Sequence, residues 1–195
     1  MSLDGPIIDP VVASLVRSHV ESFFAGHRVG RREFNRGPIH EVAPGFHVLA
    51  VSPGPKTALW SFISVGGAFV TKEQRPKIEF LIIAREDRSE YVERLAMIVH
   101  YHHTQTLGLG HTFPLGEPWV PGSVLDHALI SRPYPYGPLL ERFELGTAEH
   151  GHIFWVLPIT LAERDFKRDH GLESLEERFE QAQIQYWNPT RASVV

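Results

Sequence analysis

The sequence predicts an α+β fold with a mixed, largely antiparallel sheet covered by helices. Three observations carry that prediction. β-rich runs come in neighbouring groups with Pro/Gly turns between them, and helical periodicity returns only at wide intervals. The order that results is helix, strands, helix, strands, helices, without the regular strand–helix alternation of a doubly wound parallel sheet.

The first element is a helix punctuated at both ends. Asp9 suits its cap, Pro10 its first position and Gly26 its end. Val12, Leu15, Val16, His19, Val20, Phe23 and Phe24 recur at helical spacing and form one apolar face. Strands are expected at 46–51 and 58–65, separated by Pro53-Gly54-Pro55. A third strand at 77–84 follows a polar connection ending at Pro76. Its apolar second half predicts burial on both faces, with Phe80 and Ile82 on one side and Leu81 and Ile83 on the other.

Residues 90–106 read as a second helix with Val92, Leu95, Ile98, Val99 and His102 on one stripe; it and helix 9–26 are expected to cover the sheet. From 107 to 138 periodicity fades and Gly, Pro and aromatics dominate, except for a short strand at 126–131. Two more strands are expected at 139–145 and 151–157, joined by residues 146–150, with Pro158 stopping the second. Thr160-Leu161-Ala162-Glu163 is a capping box opening a helix that ends near Gly171. The last helix runs over 172–186, with Leu172, Leu175, Phe179 and Ala182 inward. Without internal repeat or linker, the expectation is one domain over 1–195 with its core at about 9–186.

Composition narrows the function classes. A chain of 195 residues with 43% hydrophobic content buries a core without staples, and zero Cys excludes disulfides, thiolate metal sites and cysteine nucleophiles. With 19 basic against 23 acidic residues the net charge is −4, which argues against a generally basic nucleic-acid surface. No stretch approaches the roughly 20 apolar residues of a membrane helix. The N-terminus lacks the residue order of a signal peptide, so a cytoplasmic protein is expected.

Twelve histidines invite a metal reading. His100 and His103 share a flank of the second helix, His102 continues its apolar stripe, and His111 follows a glycine turn. Zinc needs three or four converging ligands. The chain has no His-Glu-x-x-His and no Asp or Glu from His100 through His111. A helix face that uses His as an amphipathic aromatic accounts for these residues, and no metal is expected. His150-Gly151-His152 reads as a pair of turn-flanking surface histidines.

Nucleophile and phosphate-loop motifs are missing. Gly54-Pro55-Lys56-Thr57 places Pro where a phosphate loop needs an amide, and Gly108-Leu109-Gly110 follows a helix instead of a strand. The pairs Glu141/Glu144 and Glu176/Glu177 read as solvated charge. Arg28, Arg31, Arg32 and Arg36 form the one basic cluster. A strand edge guarded against pairing, or a contact with an acidic partner, explains it more readily than DNA does.

The unusual stretch runs from Gly110 through Pro118-Trp119-Val120-Pro121 and Asp126-His127 to Pro133-Tyr134-Pro135-Tyr136-Gly137-Pro138. Its prolines stiffen extended backbone, and Trp119, Tyr134 and Tyr136 are residue types that supply contact area at low entropy cost. The same aromatics would serve equally to clamp a long loop to the core; both readings stand. The candidate partner-binding residues are His111, Glu117, Trp119, Asp126, Tyr134 and Tyr136, with the two acids at the rim. No catalytic residue is assigned.

Gly108-Leu109-Gly110-His111-Thr112, Gly116-Glu117-Pro118-Trp119, Asp126-His127 and Tyr134-Pro135-Tyr136-Gly137-Pro138 carry a resemblance. So do Leu157-Pro158-Ile159-Thr160, Glu163-Arg164-Asp165-Phe166 and His170-Gly171-Leu172-Glu173. In this order, over about 46–179, the chain resembles the suppressor-of-fused domain as it occurs in bacteria. The resemblance implies an α+β domain with no known enzymatic activity and no required cofactor. Eukaryotic members are adaptors that hold a zinc-finger transcription factor inactive by clasping a short peptide between two domains, and this chain resembles their N-terminal half only. Bacterial relatives are proposed to be immunity proteins that neutralise toxins. The expectation is therefore a non-enzymatic domain with a protein partner, a toxin in the immunity reading, and with neither nucleic acid nor membrane as partner. The alternative is a metal-dependent hydrolase drawing on His100, His103, His111 and His127.

Overall fold

In the computed structural model of the chain, residues 8–70, 76–146 and 149–195 are described. Chain order begins α1 (Pro10–Phe23), β1 (Val29–Glu33), α2 (Ile39–Val42), β2 (His47–Val51), β3 (Trp60–Val65), α3 (Gly67–Val70), β4 (Lys77–Ala84) and α4 (Ser89–Gln105). It continues with β5 (Thr112–Pro114), β6 (His127–Ser131), α5 (Pro138–Glu141), β7 (Arg142–Glu144), β8 (His150–Ile159), α6 (Leu161–His170) and α7 (Leu172–Gln181). The contacts divide into two compact units. The first takes the chain up to Leu107 together with Arg132–Trp155, and the second takes Gly108–Ser131 and Val156–Val195.

In the first unit, Asp9 accepts a hydrogen bond from the Val11 amide at 2.8 Å and Pro10 occupies the first turn of α1. The helix buries Val16 and Val20, and Phe24 beyond its end is also buried. Strands β1, β2, β3 and β4 pair antiparallel in sequence order. β4 then pairs parallel with β8, from Lys77 opposite Gly151 to Leu81 opposite Trp155, and β7 lies antiparallel on β8. The sheet is therefore mixed and largely antiparallel, as expected. Phe80, Leu81, Ile82 and Ile83 are all buried, so β4 is covered on both faces. α4 packs across β2, β3 and β4, while α1 packs on α5 and β7.

A carboxylate sits inside this unit. Glu79 on β4 is fully buried, and its two oxygens accept from the amides of Gly66, Gly67 and Ala68 at 3.0–3.1 Å and from the Ser64 hydroxyl. Burial pushes its pKa up to about 7, against the pull of those four donors. Gly67 is needed for the approach, because a Cβ there would lie 2.4 Å from the Ile78 carbonyl oxygen.

In the second unit β5 pairs antiparallel with β6. The capping box at α6 is present: the Thr160 hydroxyl accepts from the Glu163 amide at 3.1 Å and the Glu163 carboxylate from the Thr160 amide at 2.9 Å. Gly171, at φ 92°, ends α6 and admits the turn into α7.

Several expectations need correction. β1 is not among the strands that periodicity predicts, although a guarded strand edge is one reading of its arginines; Val29–Glu33 carries no legible alternation, and the strand forms by pairing with β2. The strand expected at 139–145 is a short helix followed by three strand residues, because Pro138 suits a first helical position after Gly137 at φ 72°. Pro158 does not stop β8, which runs on to Ile159; its carbonyl instead accepts from Arg191 at 3.0 Å. α7 ends at Gln181, before Gln183 at φ 47° turns the chain, and does not reach residue 186. Glu141 is buried and ion-paired, not solvated. The connection expected at 146–150 includes Thr147 and Ala148, which lie outside the described residues.

Candidate interaction surface

The Pro- and aromatic-rich stretch is divided between the two units. Its second-unit part is a long antiparallel excursion. The Gly110 amide donates to the Ile130 carbonyl at 2.8 Å, Leu115 to Asp126 at 2.9 Å and Trp119 to Leu125 at 2.7 Å. Lys167 on α6 donates to the Gly110 carbonyl and secures the turn. At the far end the Ser123 hydroxyl accepts from the Leu125 amide at 3.0 Å and donates to the Pro189 carbonyl at 2.6 Å. Phe113, Leu115, Trp119, Val120 and Leu125 point into the interior. Trp119 is only 4% exposed, so its indole packs the loop and offers a partner almost no area. His111 and Glu117 are exposed. Asp126 is half-buried and bonds His127 Nδ1 at 2.8 Å.

The first-unit part is a tight loop from Arg132 to Glu141. The Tyr136 and Gly137 amides both donate to the Pro133 carbonyl at 2.8 Å. Across the base, Arg132 Nη1 donates to both Glu141 oxygens at 2.8 and 3.0 Å. Tyr136 holds the loop from inside: its hydroxyl lies 2.6 Å from Ser61 Oγ and its ring meets Phe24 edge-on at 5.2 Å. Burial pushes that hydroxyl's pKa up. Tyr134 is 58% exposed and Leu139 77% exposed on the same loop. Leu139 was missed from the sequence because it was placed in a strand; an apolar residue just after a helix-opening proline was the available signal.

The four histidines of the hydrolase alternative belong to different units. His100 and His103 lie on α4 in the first unit; in the second, His111 immediately precedes β5 and His127 opens β6. Among the described residues no group of three or more His, Cys, Asp or Glu is arranged to hold a metal ion. His102 is buried instead, with Nδ1 accepting from the Leu107 amide at 2.9 Å and its ring edge-on to Phe80. Burial lowers its pKa to about 4, so the ring is neutral. His150 and His152 form a ring ladder with Phe154 at 5.3 Å spacing, and His152 Nδ1 lies 3.6 Å from Glu141.

The fold is α+β, of mixed sheet and helices, and the Pro- and aromatic-rich stretch is held by hydrogen bonds within each unit. The family model for suppressor of fused protein (SUFU) matches residues 43–192, and the chain belongs to that family. A solved structure described as a SUFU homologue from Neisseria gonorrhoeae FA 1090 is 36% identical, with a TM-score of 0.80 over 94% of this chain and 96% of that one. The Sufu–Fu complex structure matches at 12% identity and a TM-score of 0.71, covering 95% of this chain and 92% of that one. Drosophila Suppressor of Fused matches at 9% identity and 0.62, over 93% of this chain and 50% of that one. These two share the fold. Among curated proteins nothing matches. The family is a regulatory and binding one and is not a known hydrolase family. No helix among the described residues is long and apolar enough to cross a membrane.

Proposed function

We propose that this chain is a non-enzymatic protein-binding domain whose contact surface lies on the 111–138 stretch and the adjoining Leu139. The observation that carries the reading is Tyr134: it stands 58% exposed on a loop locked by the Arg132–Glu141 pair and by Tyr136. A loop held in one shape loses little entropy when a partner docks. Tyrosine is among the residue types enriched where interface binding energy concentrates, and Leu139 adds apolar area beside it on the same loop. Tyr136 serves as support for the Tyr134 loop in the first unit; in the second unit His111, Glu117 and Asp126 are the polar contact candidates and Trp119 is interior packing. That the Sufu–Fu structure is a complex of a family member with a protein supports a protein as partner here.

The finer reading is an immunity protein that neutralises a toxin domain in the cytoplasm, with 1–195 acting as one functional domain. The net charge of −4 supports it, since steering towards a basic toxin raises the rate of capture. The test uses the purified product of the neighbouring gene in isothermal titration. Tyr134→Ala with Leu139→Ser should weaken binding by roughly 2 kcal/mol or more while leaving the melting temperature in place. Unchanged affinity in a well-folded variant would retire the surface, and a neighbouring product that fails to bind would retire the toxin reading.

A further inference from the structure

β1 lies at a free edge: its five residues pair with β2 and with no other strand among the described residues. The Ser52 amide donates to the Arg28 carbonyl at 3.0 Å. By the alternation of an antiparallel ladder, Gly30 and Arg32 then bond inward, and Val29, Arg31 and Glu33 hold their amides and carbonyls on the open side. Beside this edge is a groove of about 580 Å³ between residues 31–36 and residues 87–93 at the start of α4. Arg31, Arg32, Arg36 and Arg88 line it, together with Glu33, Asp87 and Glu93.

Internal pairs hold three of these arginines in place. Arg31 Nε bonds Glu33, Arg32 Nη2 bonds Asp87 at 2.7 Å, and Arg88 Nη2 bonds Glu86 at 2.7 Å. Such exposed pairs contribute little stability, but they leave most of each guanidinium's five donors uncommitted. Arg36 is exposed and makes no ion pair among the described residues. The stretch 28–36 carries four arginines against the single acid Glu33, in a chain whose net charge is −4.

We propose that this edge and groove take an extended acidic segment of a partner protein, which adds as a strand on β1 and sets alternate carboxylates against the arginines. The open main-chain groups supply the hydrogen bonds of strand addition, and the guanidinium groups supply the choice of partner. Adjacent arginines on an edge repel a second copy of the same strand, because pairing would bring like charges together. An acidic strand reverses the sign of that term. Nucleic acid fits less well, since it has no peptide N–H and C=O groups to pair with the open main-chain groups of β1. This site rests on no part of the reading of residues 111–138.

The probe is a fluorescein-labelled peptide of about eight residues that alternates glutamate with threonine, titrated against the full chain by anisotropy. Controls are its lysine counterpart and a mixed-sequence single-stranded DNA. The acidic peptide should bind, and more weakly as salt rises. Arg36→Glu with Arg88→Glu should weaken it about tenfold or more at an unchanged melting temperature, with Arg36→Ala giving a smaller loss in the same direction. Amide exchange at Val29, Arg31 and Glu33 should slow when the peptide is present. Three results would overturn the proposal: no binding to the unmodified chain, equal binding to the double variant, or binding without protection of those amides. Preference for the oligonucleotide would overturn it as well.

Discussion

Arg191 places Nη1 2.6 Å and Nη2 2.9 Å from the two oxygens of Glu163, and both side chains are buried. The same carboxylate accepts from the amides of Thr160 and Val194, so it caps α6 and fastens the last residues of the chain at once. Arg191 also donates to the Pro158 and Ala192 carbonyls, while its buried Nε finds no hydrogen-bond partner among the described residues. A buried pair is poorly read as a source of stability, because desolvation offsets its attraction, but removing one member strands the other.

Arg191→Met should therefore destabilise the chain by about 3–5 kcal/mol, through an uncompensated Glu163 in the interior. Urea denaturation measures it. A loss below about 1 kcal/mol would mean that the carboxylate finds water or a proton instead.

Trp119→Ala should lower the melting temperature and cost about 3–5 kcal/mol, as expected for a large aromatic lost from the interior. Partner affinity of the fraction that stays folded should be unchanged. Normal stability with weakened binding would return Trp119 to the contact surface.

Tyr136→Phe removes the hydroxyl bonded to Ser61 while keeping the ring against Phe24. The expected cost is about 1 kcal/mol, with faster amide exchange at Tyr136 and Gly137. Identical exchange in variant and parent would show that the ring alone holds the loop.

Two buried groups give stability an unusual pH dependence. His102 has its pKa lowered from 6.5 to about 4, so its contribution is complete above 6.5 and lost as pH falls through 4. Glu79 has its pKa raised from 4.5 to about 7, so its contribution is complete below 4.5 and lost as pH rises through 7. Between those limits the two slopes oppose each other. His102→Asn keeps an acceptor for the Leu107 amide without titrating. Relative to the parent chain, it should gain stability as pH falls from 7 to 4.5. Denaturant midpoints that move in parallel for both proteins would show that His102 does not titrate on unfolding.

What the sequence determined by itself is the set of elements whose signals are local. Asp9 and Pro10 opened α1 and Thr160 with Glu163 opened α6, because a cap is a bond between residues two or three positions apart. The apolar run of β4 and the stripe of α4 that includes His102 were legible for the same reason: period alone decides which face is buried. The tertiary structure decided what depends on distant partners. Glu79 and Glu141 look in the sequence like any other acids and Glu163 like a helix cap alone, yet all three are buried, each beside donors that the chain brings from elsewhere. Trp119 and Tyr134 belong to one stretch of similar composition, but the first is enclosed and the second stands in solvent. Aromatic content carries no direction of its own; long-range packing assigns it, by choosing which rings find a cavity to fill.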